Sequence, residues 1–170
     1  MTGAAASEAH LQPARLVLDT NTVLDWLVFA DTPALAIGEA IAQGRLSWLT
    51  TPRMLGELHA VLARPLPARW EPARELALTI DVVALAVVCA EPPPDGRCLV
   101  CRDAADQMFI DLARRHGPAV LLTRDRALLA LRRRAVAFGV EITTAAAWWS
   151  RQEVPGGSAV RRGGPAGDRP

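Results

Sequence analysis

A short apolar run that ends in a carboxylate constrains the fold of this chain more than any other feature. Leu16, Val17 and Leu18 form the run, and Asp19 follows it within the stretch RLVLDTNT. This pattern predicts a buried strand that delivers an acid at its carboxyl end, where a helix begins. Ligands of open parallel α/β sheets bind beyond the carboxyl ends of the strands. Asp19 is therefore either a site residue or the N-cap of the next helix, and the stretch alone leaves both interpretations open.

Strand-like and helix-like segments alternate along residues 15–151 and predict an α/β fold. Predicted strands cover 16–18, 46–50, 119–123 and 140–143, and predicted helices cover 23–30, 33–43, 52–63, 71–89, 103–116, 125–134 and a last turn at 145–150. Thr32 and Thr51 each precede a proline, which predicts an N-cap followed by the first helical residue. Such alternation predicts a three-layer sandwich, in which helices flank a central, mostly parallel sheet of four to five strands.

Composition limits the chain to one folded domain with two tails. The 170 residues are 51% hydrophobic, which suits a domain with a real core. Residues 1–14 are small and aperiodic, and residues 152–170 are rich in Gly, Pro and Arg, so both are predicted to be disordered and the domain to cover 15–151. The net charge of +1 gives no argument for nucleic acid as a partner.

The cysteines and the apolar segments indicate the cellular compartment of the protein. Three cysteines do not make an even disulfide framework. Cys98 and Cys101 form a C-x-x-C pair, but a zinc site needs two further ligands, so reduced thiols are the favoured interpretation. The N-terminus does not resemble a signal peptide, and the apolar segment 76–90 is too short and too charged to span a membrane. We therefore expect a soluble cytoplasmic protein.

Two acids lie on predicted helices, and their angular positions, at about 100° per residue, predict whether each one faces the core. On the predicted helix 103–116, Asp106 falls inside the apolar arc that Phe109, Ile110 and Ala113 form, whereas Asp111 falls on the opposite side. A buried carboxylate needs a partner, which is either a cation or an arginine. On the predicted helix 52–63, Glu57 lies at the margin of the apolar arc, where it either reaches into a cleft or pairs with Arg53 on the surface.

Carboxylates that meet at one edge of the sheet would repel one another. Asp19 and Asp125 both follow predicted strands, so a parallel sheet brings them to the same rim, and Asp103 and Asp106 begin a helix. Each of these acids taken singly is explained as a helix cap. Taken together they favour a hard divalent cation, Mg²⁺ or Mn²⁺, because these ions prefer oxygen ligands.

Four segments, taken in order, resemble the PIN domain family. They are LDTN, TPRMLGELHAVLARP, CRDAADQMFIDLA and LLTRDRALL, and the likeness covers residues 15–149. Within that family they resemble the toxin components of toxin–antitoxin systems, the VapC-like ribonucleases. The resemblance implies a Mg²⁺- or Mn²⁺-dependent endoribonuclease, in which a metal-activated water hydrolyses RNA phosphodiester bonds. It also implies a cognate antitoxin partner and a homodimer, with no membrane association.

The same resemblance assigns roles to individual residues. It implies the catalytic acids Asp19, Glu57, Asp106 and Asp125, of which Asp19, Asp106 and Asp125 are metal ligands, with Asn21, Thr123 and Asp103 in support. Three arginines near the last acid are candidates for contact with the RNA backbone: Arg124, Arg126 and Arg132. For the run that contains Arg132, a solvated helix end remains the alternative.

Two other protein classes place an acid after the first strand. Phosphatases of the haloacid-dehalogenase type and receiver domains need further acids, and both commonly use a lysine. This chain has Asn21 two residues after Asp19 and contains no lysine. A catalytically inactive PIN-like module that acts through RNA or protein partners remains the alternative to an enzyme.

Overall fold

A computed structural model describes residues 13–93 and 99–152 of the chain. The predicted tails fall almost entirely outside these residues, as does Cys98 of the C-x-x-C pair. Cys89 and Cys101 are free thiols. No helix within the described ranges is both long enough and apolar enough to cross a membrane.

Five parallel strands form one sheet. They are β1 (Ala14–Leu18), β2 (Leu46–Thr50), β3 (Ala86–Val88), β4 (Ala119–Leu122) and β5 (Val140–Thr143), in the spatial order β3-β2-β1-β4-β5. The order reverses between β1 and β4, where Leu18 pairs with Leu122. In such a sheet the crevice for ligands opens at this switch point. Asp19 and Thr123, which follow the two paired residues, are thus neighbours at that crevice.

Helices cover both faces of the sheet and confirm the predicted three-layer sandwich. The helices are α1 (Thr20–Leu27), α2 (Thr32–Ala42), α3 (Pro52–Leu62), α4 (Glu71–Ala77), α5 (Val82–Leu85), α6 (Gln107–Arg115), α7 (Arg126–Ala130), α8 (Arg132–Ala135) and α9 (Ala145–Gln152), with 3₁₀ turns at Ala68–Trp70 and Val136–Phe138. Side chains of β1 alternate between two apolar clusters. Val17 packs into the cluster that α6, α7 and α8 cover, and Leu16 and Leu18 pack into the cluster under α1, α2 and α9.

The first of the two predicted threonine caps is wrong and the second is confirmed. Thr32 is the first residue of α2, and the side chain of Asp31 caps the helix by accepting from the Ala34 N–H at 3.3 Å. Asp31 is the better cap because its side chain reaches the free N–H three residues on. Thr51 caps α3 as predicted, and its hydroxyl accepts from the Met54 N–H at 3.4 Å.

The predicted long helix 71–89 is wrong. α4 ends at Ala77, Asp81 starts the short α5 by accepting from the N–H groups of Val83 and Ala84, and residues 86–88 become the edge strand β3. Valine-rich segments suit a strand as well as a helix, and a short apolar run does not distinguish the two by periodicity. Pairing with β2 decides the outcome here, since Trp48 lies opposite Ala86.

The predicted start of the helix 103–116 is also wrong. α6 begins at Gln107, and Asp106 is its N-cap residue, so the angular argument that placed Asp106 inside an apolar arc does not apply. The Gln107 side chain holds the preceding loop against α6. Its Nε2 donates to the Leu99 carbonyl at 3.0 Å, and its Oε1 accepts from the Cys101 N–H at 2.8 Å. These two bonds provide partners for backbone groups of the loop, which therefore do not need the hydrogen bonds of a helix.

Candidate active site

Asp19 lies at the carboxyl end of β1 with only 3% of its surface exposed. Its Oδ1 accepts from the Thr22 N–H at 2.6 Å, and its Oδ2 accepts from the Thr123 hydroxyl at 2.5 Å. Burial raises the pKa of this carboxyl, while the bonds from Thr123 and Thr22 and the charge of Arg124 oppose that effect. Asp19 therefore caps α1 and also faces the switch point, and each oxygen keeps capacity for a further ligand.

The Thr123 hydroxyl joins Asp19 to Asp125. It donates to Asp19 and accepts from the Asp125 N–H at 2.9 Å. Asp125 caps α7 in turn, since its Oδ1 accepts from the N–H groups of Ala127 at 2.7 Å and Leu128 at 3.1 Å. Its Oδ2 accepts no hydrogen bond from the residues that the structure describes. One carboxylate oxygen of Asp125 thus remains available at the crevice.

Glu57 reaches the same crevice from α3. Its side chain is half-buried, and its Oε1 accepts from the Thr20 hydroxyl at 2.8 Å. The surface pair with Arg53 is not formed among the described residues, in which Glu57 bonds to Thr20 instead. The first residue of α1 therefore orients Glu57. The sequence pattern did not predict this role for Thr20, although its position directly after Asp19 was a signal.

Asp106 is an acid of the crevice with a strongly raised pKa. Burial raises its pKa to about 6, and the charges of Asp125, Asp103, Asp19 and Glu57 act in the same direction. Within the described part of the chain, no donor or cation bonds to this carboxylate. The alternative of an arginine salt bridge is therefore not realised there. Asp106 lies within electrostatic reach of every other predicted acid, even though the helical argument for its direction was wrong.

Two predicted supporting residues lie outside this bonding network. Asn21 is exposed and its side chain forms no hydrogen bond within the described residues, and the bonds to Asp19 come from Thr22 and Thr123. Asp103 is also exposed, and its Oδ1 accepts from the Ala105 N–H at 2.9 Å. Asp103 acts on the site through its negative charge, which contributes to the raised pKa of Asp106.

A further buried acid, Asp25, was not among the predicted site residues. It lies on α1 with 8% of its surface exposed, and its Oδ1 is 2.8 Å from Nη2 of Arg124. Burial raises the pKa of Asp25, and the charge of Arg124 opposes that effect. The signal in the sequence was an acid inside the apolar segment VLDWLV. The other two candidate RNA contacts, Arg126 and Arg132, are exposed.

Comparison with known families decides the classification of the chain. The sequence model of the PIN domain matches residues 15–127. The chain belongs to the PIN domain family. PIN domains are generally nucleases that use divalent metal ions, which supports a hydrolase. No curated protein matches the sequence significantly.

The matched region of this PIN domain contains every predicted acid. Separate elements deliver four of these acids to one side of the sheet. Asp19 follows β1, Glu57 lies on α3, Asp106 lies at the start of α6, and Asp125 follows the end of β4. We call these four residues the acidic site. Their predicted roles stay predictions, because the family match assigns no role to a single residue.

The acidic site suits a hard divalent cation by its chemistry. Its donors are carboxylates, and a cation would offset both the burial and the repulsion that raise the pKa of Asp106. No group of three or more His, Cys, Asp or Glu side chains in the described ranges is arranged to hold an ion. Mg²⁺ retains several waters and commonly binds through one or two carboxylates, so a complete protein cage is not required.

Proposed function

We propose that this PIN domain is a Mg²⁺- or Mn²⁺-dependent endoribonuclease that hydrolyses RNA phosphodiester bonds. One observation carries the proposal. Asp106 is half-buried among Asp19, Glu57 and Asp125, without a bonded partner in the described residues, and its pKa is raised to about 6. A carboxylate in such a place costs stability unless a cation offsets it, and strongly perturbed acids in a crevice are typical of functional sites.

The geometry suggests a division of roles within the acidic site. Asp19 and Asp106 would hold the cation, with Asp125 as a direct or water-mediated ligand through its uncommitted Oδ2. When bound, the cation supplies a water of lowered pKa and stabilises charge on the leaving oxygen. Glu57 would orient that water, since the Thr20 hydroxyl already fixes one of its oxygens. Thr123 holds Asp19 in the orientation that these roles need.

The biological setting is part of the same proposal. The resemblance to VapC-like ribonucleases supports a role as the toxin of a toxin–antitoxin pair in the cytoplasm. A cognate antitoxin would then be the protein partner, and a homodimer the functional form. The alternative is an inactive PIN-like module that binds RNA or protein, and cleavage assays distinguish the two.

The test is metal-dependent cleavage of single-stranded RNA by the purified full chain. We expect cleavage with Mg²⁺ or Mn²⁺, none with EDTA, and a loss beyond about 100-fold in Asp19→Asn and in Asp106→Asn, because even outer residues of metal sites contribute 10–100-fold. Asp111→Asn is the matched control on α6. Its side-chain oxygen accepts from Gln107 Nε2 at 2.9 Å, and asparagine keeps that bond.

The outcomes separate the two candidate functions. Undiminished cleavage in purified Asp19→Asn or Asp106→Asn would overturn the assigned site. RNA binding by the wild type without cleavage, under every divalent cation tried, would favour the inactive module instead.

A further inference from the structure

Asp25 and Arg124 form an ion pair between a buried acid and a largely exposed arginine. Arg124 Nη2 lies 2.8 Å from Asp25 Oδ1, and the side chains are 58% and 12% exposed respectively. Asp25 belongs to α1, and Arg124 lies in the turn between β4 and α7. The pair therefore crosses the switch point, next to the acidic site.

Stability alone does not account for a buried Asp25. Its pKa stays raised despite the arginine, because burial and the charges of Asp31 and Asp19 outweigh the opposing effect of Arg124. Because Asp25 is buried while Arg124 is largely exposed to solvent, which screens its charge, the pair adds little net stability. Since Asp25 stays charged only at a cost, a use for the charge is the better explanation than a contribution to folding.

The backbone on both sides of Arg124 is held in place. The Thr123 N–H donates to the Thr143 carbonyl at 2.9 Å, and the Asp125 N–H donates to the Thr123 hydroxyl at 2.9 Å. Asp25 then anchors the far end of the side chain at the guanidinium. A long side chain that is fixed at both ends has lost most of the conformational freedom that binding would otherwise remove.

The guanidinium also acts on the acidic site itself. The charge of Arg124 opposes the rise in the pKa of Asp19 that burial causes, so the two groups are within electrostatic reach of each other. Arginine offers five N–H donors in a rigid plane, and this geometry matches the oxygens of a phosphate. Asp25 contacts one terminal nitrogen at one oxygen, which leaves donors directed elsewhere on an exposed side chain.

We infer that Asp25 is a positioning residue that holds the Arg124 guanidinium at the mouth of the acidic site, where it binds a backbone phosphate of single-stranded RNA. The inference rests on the proposed function and adds to it the group that places the substrate. Arg124 is the residue that touches RNA, and Asp25 acts through Arg124.

The experiment measures binding of a short fluorescent single-stranded RNA to the full chain by anisotropy, with EDTA present to prevent cleavage. We expect Arg124→Gln and Asp25→Asn each to weaken binding about 10-fold, as loss of one charge-assisted phosphate contact predicts. Arg124→Gln should also reduce the slope of log affinity against log salt by about 0.7, the value for one phosphate contact on a single strand. The double variant should bind no more weakly than Arg124→Gln, because Asp25 acts only through the arginine.

A second ion pair gives the matched control. Arg151 pairs with Glu141 on the edge strand β5, and its side chain is 53% exposed, close to the 58% of Arg124. Arg151→Gln should leave affinity and salt slope unchanged. Arg124→Lys keeps the charge without the planar donors, so we expect it to recover the salt slope while restoring only part of the affinity.

Failure of this inference is distinguishable from failure of the proposed function. If the wild type cleaves RNA but Arg124→Gln binds as tightly as the wild type with an unchanged salt slope, the inference is overturned alone. If the wild type binds RNA without cleaving it and the two variants behave as expected, the nuclease proposal fails and the positioning role stands. Should Asp25→Asn unfold, Arg124→Gln and Arg124→Lys decide, since they change an exposed side chain.

Discussion

Thr123 is the residue on which two acids of the site depend. Its side chain is buried, with 1% of its surface exposed, and its hydroxyl both donates to Asp19 and accepts from the Asp125 backbone. A buried carboxylate that loses such a donor is left with an unsatisfied oxygen, which costs about 1–3 kcal/mol. One hydroxyl therefore contributes to folding and to the placement of the acids.

We expect Thr123→Val to lower the free energy of unfolding by about 1–3 kcal/mol, because valine keeps the shape but removes the hydroxyl. Cleavage should fall as well, while Thr123→Ser, which keeps the hydroxyl, should retain most of both. Urea unfolding and cleavage rates measure the two effects. Thr79→Val is the control, since the exposed Thr79 hydroxyl bonds only to the Leu76 carbonyl nearby. Equal behaviour of the valine and serine variants at position 123 would contradict the assigned role.

At this scale the sequence predicted the acids better than their partners. Asp19 and Asp125 were placed from strand ends, and that reasoning needs only the local pattern. Thr20 and Asp25 were missed, because their partners, Glu57 and Arg124, are distant in the chain. Only the packing of α1 against α3 and against the β4–α7 turn creates these contacts.

Among the elements, α1 is the one that organises the site. It begins at the Asp19 cap, its first residue orients Glu57, and it carries Asp25. Its position depends on α2, where Gly38 leaves room for the indole ring of Trp26. A Cβ added at Gly38 would lie 2.0 Å from Trp26 Nε1. Close packing of this kind fixes the distance between two helices.

Gly38→Ala should therefore destabilise the protein by about 1–3 kcal/mol, because the added methyl group forces the indole ring or the helix to move. Gly56→Ala is the matched control within α3. Nothing lies within 4 Å of a Cβ at that position, so the same change should stabilise the helix by about 0.5–1 kcal/mol. Thermal unfolding of the two variants measures both the predicted loss and the predicted gain in stability. A neutral Gly38→Ala would mean that the Trp26 packing does not set the position of α1.

Element boundaries show where local pattern stops being sufficient. The strands β2 and β5 were predicted to the residue, since turn signals flank each run. The segment 71–89 was not, because its valines satisfy a helix and a strand equally and pairing with β2 selected the strand. The start of α6 moved to Gln107 because the bonds of that side chain hold the preceding loop out of the helix.

Across the whole molecule, the charges of the site oppose folding in the absence of a cation. The pKa values of Asp19, Asp25 and Asp106 are all raised above the usual 3.8. A carboxyl whose pKa is higher in the folded state binds more protons when folded, so its effect on stability becomes less favourable as pH rises. For Asp106 this loss of stability takes place between about pH 3.8, the pKa of the carboxyl in the unfolded chain, and about pH 6, its pKa in the folded protein.

Asp106→Asn should therefore stabilise the metal-free protein at pH 8 and have little effect near pH 4. The gain at pH 8 should be about 1–2 kcal/mol, after allowance for solvent screening of a half-exposed group. Urea unfolding in EDTA at the two pH values measures it, and comparison with the wild type cancels groups such as His116, whose pKa is lowered. Saturating Mn²⁺ should then stabilise the wild type more than the variant. A difference in the free energy of unfolding between variant and wild type that did not change with pH would contradict the raised pKa of Asp106.

By itself, the sequence determined the layers of this protein and the positions of two acids after strand ends. Hydrophobic periodicity and carboxylates after strands are local properties, and they were sufficient for a parallel sheet between helices and for Asp19 and Asp125 at one rim. The tertiary structure decided the rest: the edge strand β3, the cap position of Asp106 and the Asp25–Arg124 pair. These features depend on contacts between residues far apart in the chain, and a local pattern carries no information about which distant groups burial will bring together.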